Sequence, residues 1–158
     1  MTISRASGHG KSFSKGTIAA AEDLCRSRGL ALTPSRRRIL EILAQEGRPL
    51  GAYDMIEKVA SATGKRPAPI SIYRALEFLL ENGLVHRLAS RNAYLACGHG
   101  HGAQEMVVFL ICETCGDVVE ATSEVLRGSL AALAAEAHFS PHAQVMEIAG
   151  RCRICTAA

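Results

Sequence analysis

Two cysteine pairs with the same internal spacing carry the clearest chemical signal in this sequence. Cys112 and Cys115 form one C-x-x-C pair, and Cys152 and Cys155 form the other. In each turn both sulfurs can point at one ion, and four thiolates are a typical tetrahedral zinc site. The 36 residues between the pairs exceed the roughly 15–20 of ordinary ribbon spacing, so a helix and a strand must fold between them. We predict a closed structural zinc site.

A thiol oxidoreductase is the alternative chemistry for a C-x-x-C pair. Such an enzyme needs an accessible cysteine of low pKa, typically at a helix N-terminus. Cys112 instead follows the apolar run Met106–Ile111, and Cys115 precedes a glycine turn. The sequence also lacks a recognisable general base, phosphate loop or nucleophile pair. It therefore predicts a metal-binding protein that is not an enzyme.

The role of the cysteines also depends on the redox compartment of the protein. The first 16 residues lack the apolar run of a secretory signal, and Met106–Ile111 is too short to span a bilayer. These features predict a cytoplasmic protein without membrane contact, in which thiols stay reduced. Cys25, which falls on the apolar stripe of a predicted helix, is interpreted as a small buried hydrophobe.

The elements around the cysteine pairs predict a small α/β domain over residues 105–158. Ser123 is a good N-cap for a helix over Glu124–Ala137, whose leucines recur at helical spacing. Three apolar runs predict strands at Met106–Ile111, Val118–Ala121 and Val145–Ala149.

The preceding part of the chain predicts a winged helix-turn-helix over residues 17–96. Residues 1–16 have little to bury and are predicted to be a disordered tail, and the Gly- and His-rich segment 97–104 is predicted to be a hinge. Two β-prone runs, Leu84–Leu88 and Ala93–Ala96, predict a hairpin. Helices are predicted at Thr17–Arg28, at Ser35–Gln45, after Gly51 and at Ile70–Glu81. The fold class is thus α+β.

Charge divides between the two halves. Residues 1–96 carry 15 Lys/Arg and 8 Asp/Glu, a net charge of +7. Residues 97–158 carry 3 Lys/Arg and 7 Asp/Glu, a net charge of −4. A basic half followed by an acidic half favours contact of the first half alone with a polyanion such as DNA.

Four motifs together resemble the ferric uptake regulator family, and within it the zinc uptake regulator branch. They are Leu32-Thr33-Pro34-x-Arg36, Ser71-Ile72-Tyr73-Arg74-Ala75-Leu76, Gly83-Leu84-Val85-His86 and the paired C-x-x-C. The resemblance covers residues 17–155. It implies a transcriptional repressor of zinc uptake genes with zinc as co-repressor. It also implies a homodimer that pairs through its C-terminal halves and reads an inverted-repeat operator in double-stranded DNA.

The resemblance further implies a second, regulatory zinc site at the hinge, giving about two zinc ions per chain. Three positions match the ligand set of the zinc branch: His86, Cys97 and Glu120. The fourth ligand is left open. At the position where the family usually has a histidine this sequence has Glu105, a carboxylate that can also bind zinc, while His101 is the rival and lies in the flexible loop beside His99. A thiolate together with imidazole and carboxylate ligands suits zinc better than iron or manganese.

For DNA, the resemblance implies that Arg74 reads a base, since arginine can contact guanine through two hydrogen bonds. Tyr53 resembles a second contact residue, although a tyrosine that packs between helices explains it equally well. Ser71, Tyr73 and Arg36 are expected to contact phosphates, which position a protein without specifying sequence.

Zinc at the hinge would fix the distance between the two recognition helices of a dimer, and half-sites about 34–36 Å apart accept only one such distance. The alternative is an iron or peroxide sensor of the same fold. That sensor is expected to use a site rich in His and Asp, without a cysteine such as Cys97.

Overall fold

The computed structural model describes residues 2–5, 11–97, 106–141 and 145–157. The chain divides into two compact units, one formed by residues 8–102 and the other by residues 1–7 together with 103–158. This division falls within the segment 97–104 that the sequence predicts as a hinge. Of that segment, only Cys97 belongs to the described residues. None of the helices in the described ranges is long and apolar enough to cross a membrane.

Seven strands and six α-helices occur in the described residues, with one short 3-10 helix at Ala89–Arg91. The strands are β1 Thr2–Arg5, β2 Leu50–Gly51, β3 Val85–Leu88, β4 Ala93–Ala96, β5 Val107–Cys112, β6 Val118–Thr122 and β7 Val145–Gly150. The helices are α1 Lys11–Ser27, α2 Pro34–Glu46, α3 Ala52–Thr63, α4 Pro69–Glu81, α5 Glu124–Glu136 and α6 Arg153–Thr156.

The unit of residues 8–102 is a helical domain with a small sheet. Thr33 caps α2 by accepting a hydrogen bond from the Arg36 N–H, and a proline occupies the first turn of both α2 and α4, where no N–H is needed. The three-stranded sheet has the order β2-β4-β3, and β3 and β4 form the expected hairpin. Asn92 closes the hairpin loop in the left-handed region at φ 46°. Four helices followed by this hairpin form a winged helix.

The core of this unit lies between the helices and the hairpin. Ala21 of α1, Leu40 of α2, Met55 of α3 and Leu79 of α4 are completely buried. Cys25 belongs to the same core, as the sequence predicted, and burial raises the pKa of its thiol. This packing fixes α4 against the other helices through one face and leaves its opposite face exposed.

The other unit contains a four-stranded sheet in the order β1-β6-β5-β7. β5 and β6 are antiparallel, whereas β5 and β7 are parallel, with Cys112 opposite Gly150. Parallel neighbours need a crossover connection, and β6 and α5 provide it here. This crossover accounts for the long separation of the two cysteine pairs in the sequence. The pairs still meet, because each lies at the C-terminal end of one of these two parallel strands.

The structure differs from the predicted disordered tail over residues 1–16. Thr2–Arg5 pairs antiparallel with β6, and α1 begins at Lys11 instead of Thr17. The physical reason is that β6 would otherwise present an unpaired edge, and a short extended segment satisfies its backbone N–H and C=O groups. The composition of the segment gave no sign of this long-range pairing.

Helix α5 contributes no buried residue in the single chain. Ser123 caps it as predicted, by accepting a hydrogen bond from the Leu126 N–H. Its apolar side chains nevertheless remain open to solvent, with Val125 81% exposed and Leu133 61% exposed. An apolar helix face of this kind normally packs against another surface.

Candidate metal centres and DNA-binding surface

The four cysteines of the two C-x-x-C pairs come together at the end of β5 and β7. Their sulfur atoms all lie within 4.8 Å of one another. The sulfurs of Cys115 and Cys152 are 3.7 Å apart. A tetrahedron with Zn–S bonds of about 2.3 Å has sulfur–sulfur edges of about 3.8 Å. The cluster therefore has the donor type, number and spacing that a zinc ion requires.

Local backbone geometry shapes the two turns. Gly116 follows the first pair in the left-handed region at φ 77° and donates its N–H to the Cys112 carbonyl at 3.0 Å. The parallel pairing of the strands continues beyond β5, where the Glu113 N–H donates to the Gly150 carbonyl at 2.9 Å. In the second turn, Cys152 immediately precedes α6. These contacts keep the two cysteine turns side by side at the ends of the parallel strands.

Hydrogen bonds to sulfur favour one thiolate in this cluster. The backbone N–H of Cys115 and then that of Cys152 lower the pKa of Cys112 to about 6, and the second of these N–H groups lies 3.3 Å from the sulfur. Neighbouring thiols, first Cys152, raise the pKa of Cys155 to about 12. Four thiols this close cannot all ionise without a cation among them. Their electrostatics thus match a site that binds a metal ion.

In the unit of residues 8–102, the hairpin holds two further candidate ligands together. His86 lies on β3 opposite Leu95, and Cys97 follows β4 and donates its N–H to the Leu84 carbonyl at 3.0 Å. A ring nitrogen of His86 and the sulfur of Cys97 lie within 4.8 Å of each other. The thiol is buried and the imidazole is half-buried. One imidazole and one thiolate form the start of a borderline-soft metal site.

The remaining candidate ligands belong to the other unit or lie outside the described residues. Glu120 is on β6 and is a buried carboxylate, 3% exposed. A buried carboxylate is costly unless it is paired, hydrogen-bonded or bound to a cation. Glu105, His101 and His99 fall outside the described residues, so the fourth ligand stays open.

The exposed face of α4 carries the predicted DNA contacts. Ser71, Tyr73 and Arg74 are all exposed near its N-terminal end, while Ile72 and Leu76 point into the core. Within the described part of the chain, the Arg74 guanidinium has no ion-pair partner, whereas other arginines of this unit pair with carboxylates. A cation of this kind is available to an external anion or base.

Tyr53 lies in the first turn of α3 and is 78% exposed. Its exposure removes the alternative interpretation as a tyrosine that packs between helices. The side chain is instead available to a partner molecule.

A model of the ferric uptake regulator family matches residues 27–149. The chain belongs to the ferric uptake regulator family. Members of this family are transcription regulators. The zinc uptake regulation protein of Escherichia coli (strain K12) is 32% identical over 145 residues, which cover 92% of this chain and 84% of that protein.

Two solved structures of the family share both fold and sequence. A zinc uptake regulator complexed with zinc and DNA is 32% identical, with a TM-score of 0.84 over 91% of this chain and 95% of that one. The holo form of XcZur is 42% identical, with a TM-score of 0.83 over 90% of this chain and 99% of that one.

Arg36, which the sequence predicts to contact a phosphate, makes two contacts within the helical unit. The Arg36 side chain is half-buried, and its guanidinium lies 3.5 Å from the centre of the Phe78 ring on α4. Its Nη1 donates to the Ala31 carbonyl at 2.6 Å. Sequence reasoning missed Phe78 altogether, because a contact between residues 42 positions apart leaves no spacing signal.

Proposed function

We propose that this chain is a zinc-responsive transcriptional repressor that controls zinc uptake genes, with zinc as co-repressor. The observation that carries the proposal is the pairing of the Cys97 sulfur with the His86 imidazole in the same unit that exposes Arg74. A thiolate beside an imidazole favours zinc over iron or manganese. The relatives named for zinc uptake regulation, and the one bound to zinc and DNA, support the same metal and the same partner.

Two zinc ions per chain are proposed, with different tasks. The four-cysteine cluster holds a structural ion, since its sulfur spacing fits a tetrahedron and all four positions are occupied by protein ligands. His86, Cys97 and Glu120 hold a regulatory ion, with Glu105 or His101 as the fourth ligand. Zinc binds the DNA-competent state of the protein more tightly, so zinc raises DNA affinity and, by linkage, DNA raises zinc affinity equally.

The proposed DNA-binding domain is residues 17–96, and α4 is its recognition helix. Arg74 reads a base pair in the major groove, because an exposed arginine that pairs with no carboxylate of the described residues can contact guanine through two hydrogen bonds. Tyr53 makes a second base contact, and Ser71 and Tyr73 contact the phosphate backbone. The net positive charge of this half supports binding to a polyanion.

Residues 105–158 are proposed to form the dimerisation domain. Members of the family are dimers, and the uncovered apolar face of α5 gives the reason for dimerisation in this chain. A two-fold dimer presents two copies of α4, which matches an inverted-repeat operator. We place the protein in the cytoplasm, where its thiols stay reduced, and we assign it no enzymatic activity.

A zinc titration of DNA binding, with a metal count on the same sample, tests this proposal. The purified dimer with zinc first selects its operator from random-sequence duplexes. Operator affinity is then measured by fluorescence anisotropy as free zinc is varied. We expect about two zinc ions per chain and operator binding that rises as the second ion is taken up. One zinc plus one iron per chain would assign the protein to iron sensing. Unchanged operator affinity on removal of the second ion alone would refute zinc control.

A further inference from the structure

Arg36 connects three parts of the helical unit. Its backbone N–H donates to the Thr33 side chain at the start of α2, and its Nη1 donates to the Ala31 carbonyl in the preceding loop. The central carbon of the guanidinium lies over the Phe78 ring on α4, 3.5 Å from the ring centre. A cation over an aromatic face is attracted by the ring quadrupole, most strongly where solvent is partly excluded. Both side chains are half-buried here.

The position of Phe78 on α4 makes this contact relevant to DNA recognition. Phe78 lies four residues after Arg74, so the two side chains are neighbours on one side of the helix. The carbonyl of Phe78 also accepts a hydrogen bond from the side chain of Asn82 at 2.8 Å. That bond lies within the end of α4, so the Arg36 contact is what adds Phe78 to the buried residues Leu76 and Leu79 in holding this end of the helix to the domain.

Arg37, the next residue on α2, provides an internal comparison. Its guanidinium is exposed and pairs with Glu22 and Glu41 instead of an aromatic ring. Exposed ion pairs of this kind contribute little and are screened by salt. The two arginines thus carry the same charge on adjacent positions, but the Arg36 guanidinium lies on α4 whereas the Arg37 guanidinium pairs with α1 and α2.

We propose that Arg36 is a positioning residue for α4, which it orients through Phe78, and that it does not serve as a phosphate contact. The proposal rests on the proposed DNA-binding function. Base reading by Arg74 requires that the helix have one orientation relative to the groove, since a specific contact depends on geometry. Nonspecific binding depends only on the number of phosphates neutralised. Loss of the Arg36–Phe78 contact should therefore lower discrimination between sequences and leave the electrostatic component intact.

The experiment compares operator and shuffled duplexes for a set of matched variants in zinc. Arg36→Met and Phe78→Leu each break the contact, the double variant tests coupling, and Phe78→Tyr retains an aromatic ring. Arg37→Met removes the same charge one residue away and is the control. We expect Arg36→Met and Phe78→Leu each to lower the operator-to-shuffled affinity ratio by roughly tenfold, with the double variant no worse than either single variant. Phe78→Tyr and Arg37→Met should change the ratio by less than about threefold.

Salt dependence separates positioning from phosphate contact. Each lost phosphate contact lowers the slope of log affinity against log salt by about 1, or about 2 for a dimer. We expect the slope of Arg36→Met to equal that of Arg37→Met. A slope lower by about 2 in Arg36→Met alone, with the affinity ratio unchanged, would overturn the proposal, and so would additive effects in the double variant.

The same variants distinguish a failure of this proposal from a failure of the proposed function. If the wild-type protein selects no duplex in zinc, the proposed function fails. The coupling is then measured on urea unfolding of the same set, where additivity would overturn the contact itself. If Arg36→Met does not fold, Phe78→Leu against Phe78→Tyr still tests the positioning role, because both retain the arginine. Equal affinity ratios in those two variants would then refute it.

Discussion

The exposed apolar face of α5 gives a quantitative prediction for dimer stability. Leu133 is 61% exposed in the single chain, and Leu→Ala removes about three carbon groups, worth about 2.4 kcal/mol when fully buried. The part still available for burial is about 1.5 kcal/mol in each protomer. A two-fold interface contains the residue twice, so Leu133→Ala should cost about 3 kcal/mol of dimerisation free energy. That cost corresponds to roughly a 100-fold rise in the dimer dissociation constant.

Analytical ultracentrifugation of the zinc-loaded protein over a range of concentrations measures this constant directly. Ala131→Ser is the matched control, since Ala131 is also exposed on α5 but faces about 160° away from Leu133. The control should change the constant by less than about threefold. Equal dissociation constants for Leu133→Ala and the wild-type protein would refute the assignment of this helix face to the dimer interface.

Three further predictions concern DNA and zinc. Arg74→Ala should weaken operator binding by about 1–3 kcal/mol per protomer and relax specificity at one base pair, as measured by fluorescence anisotropy. The control is Arg26→Ala, which removes the same charge from an exposed helix position, and equal losses of affinity in the two variants would exclude base reading by Arg74. Cys97→Ser should leave a folded dimer with one zinc per chain that no longer responds to zinc, as measured by metal analysis and operator titration; an unfolded variant would contradict the division into structural and regulatory sites. Zinc uptake by the metal-free cluster at pH 7 should release at least two protons, because the pKa of Cys115 and that of Cys155 are raised and both thiols enter protonated. Zinc affinity should therefore fall as pH falls, and calorimetry in two buffers of different ionisation enthalpy counts the protons. Release of fewer than two would show that at least one of these thiols was already ionised.

The local signals in the sequence predicted most of the helices and the four-cysteine cluster. The pair Thr33-Pro34 marks the start of α2 because both the cap and the missing N–H act within one helical turn. The two cysteine pairs predict a common metal site because four thiolate ligands at this spacing are typical of structural zinc. The helix start depends on neighbouring residues only, and so does the spacing within each cysteine pair, so both can be recognised without knowledge of the tertiary structure.

Contacts between distant segments could not be deduced in this way. The pairing of β1 with β6 depends on an edge that exists only once the sheet has formed. The contact of Arg36 with Phe78 depends on how α2 and α4 pack. Likewise, the exposure of Tyr53 follows from the orientation of α3, since the helical pattern alone is compatible with a buried or an exposed tyrosine.

The strand β1 has a practical consequence for anyone who dissects this protein. Its four residues precede the helical unit in the chain but complete the sheet of the unit that contains the cysteine cluster. A fragment that starts at residue 103 would lack them and leave β6 with a bare hydrogen-bonding edge, which invites pairing with a second molecule. A bulky tag on the amino terminus would likewise disturb the unit that contains the cysteine cluster, although in the sequence the tag would precede the helical unit. A fragment with residues 2–5 appended after residue 157 should associate less through this edge than a simple truncation.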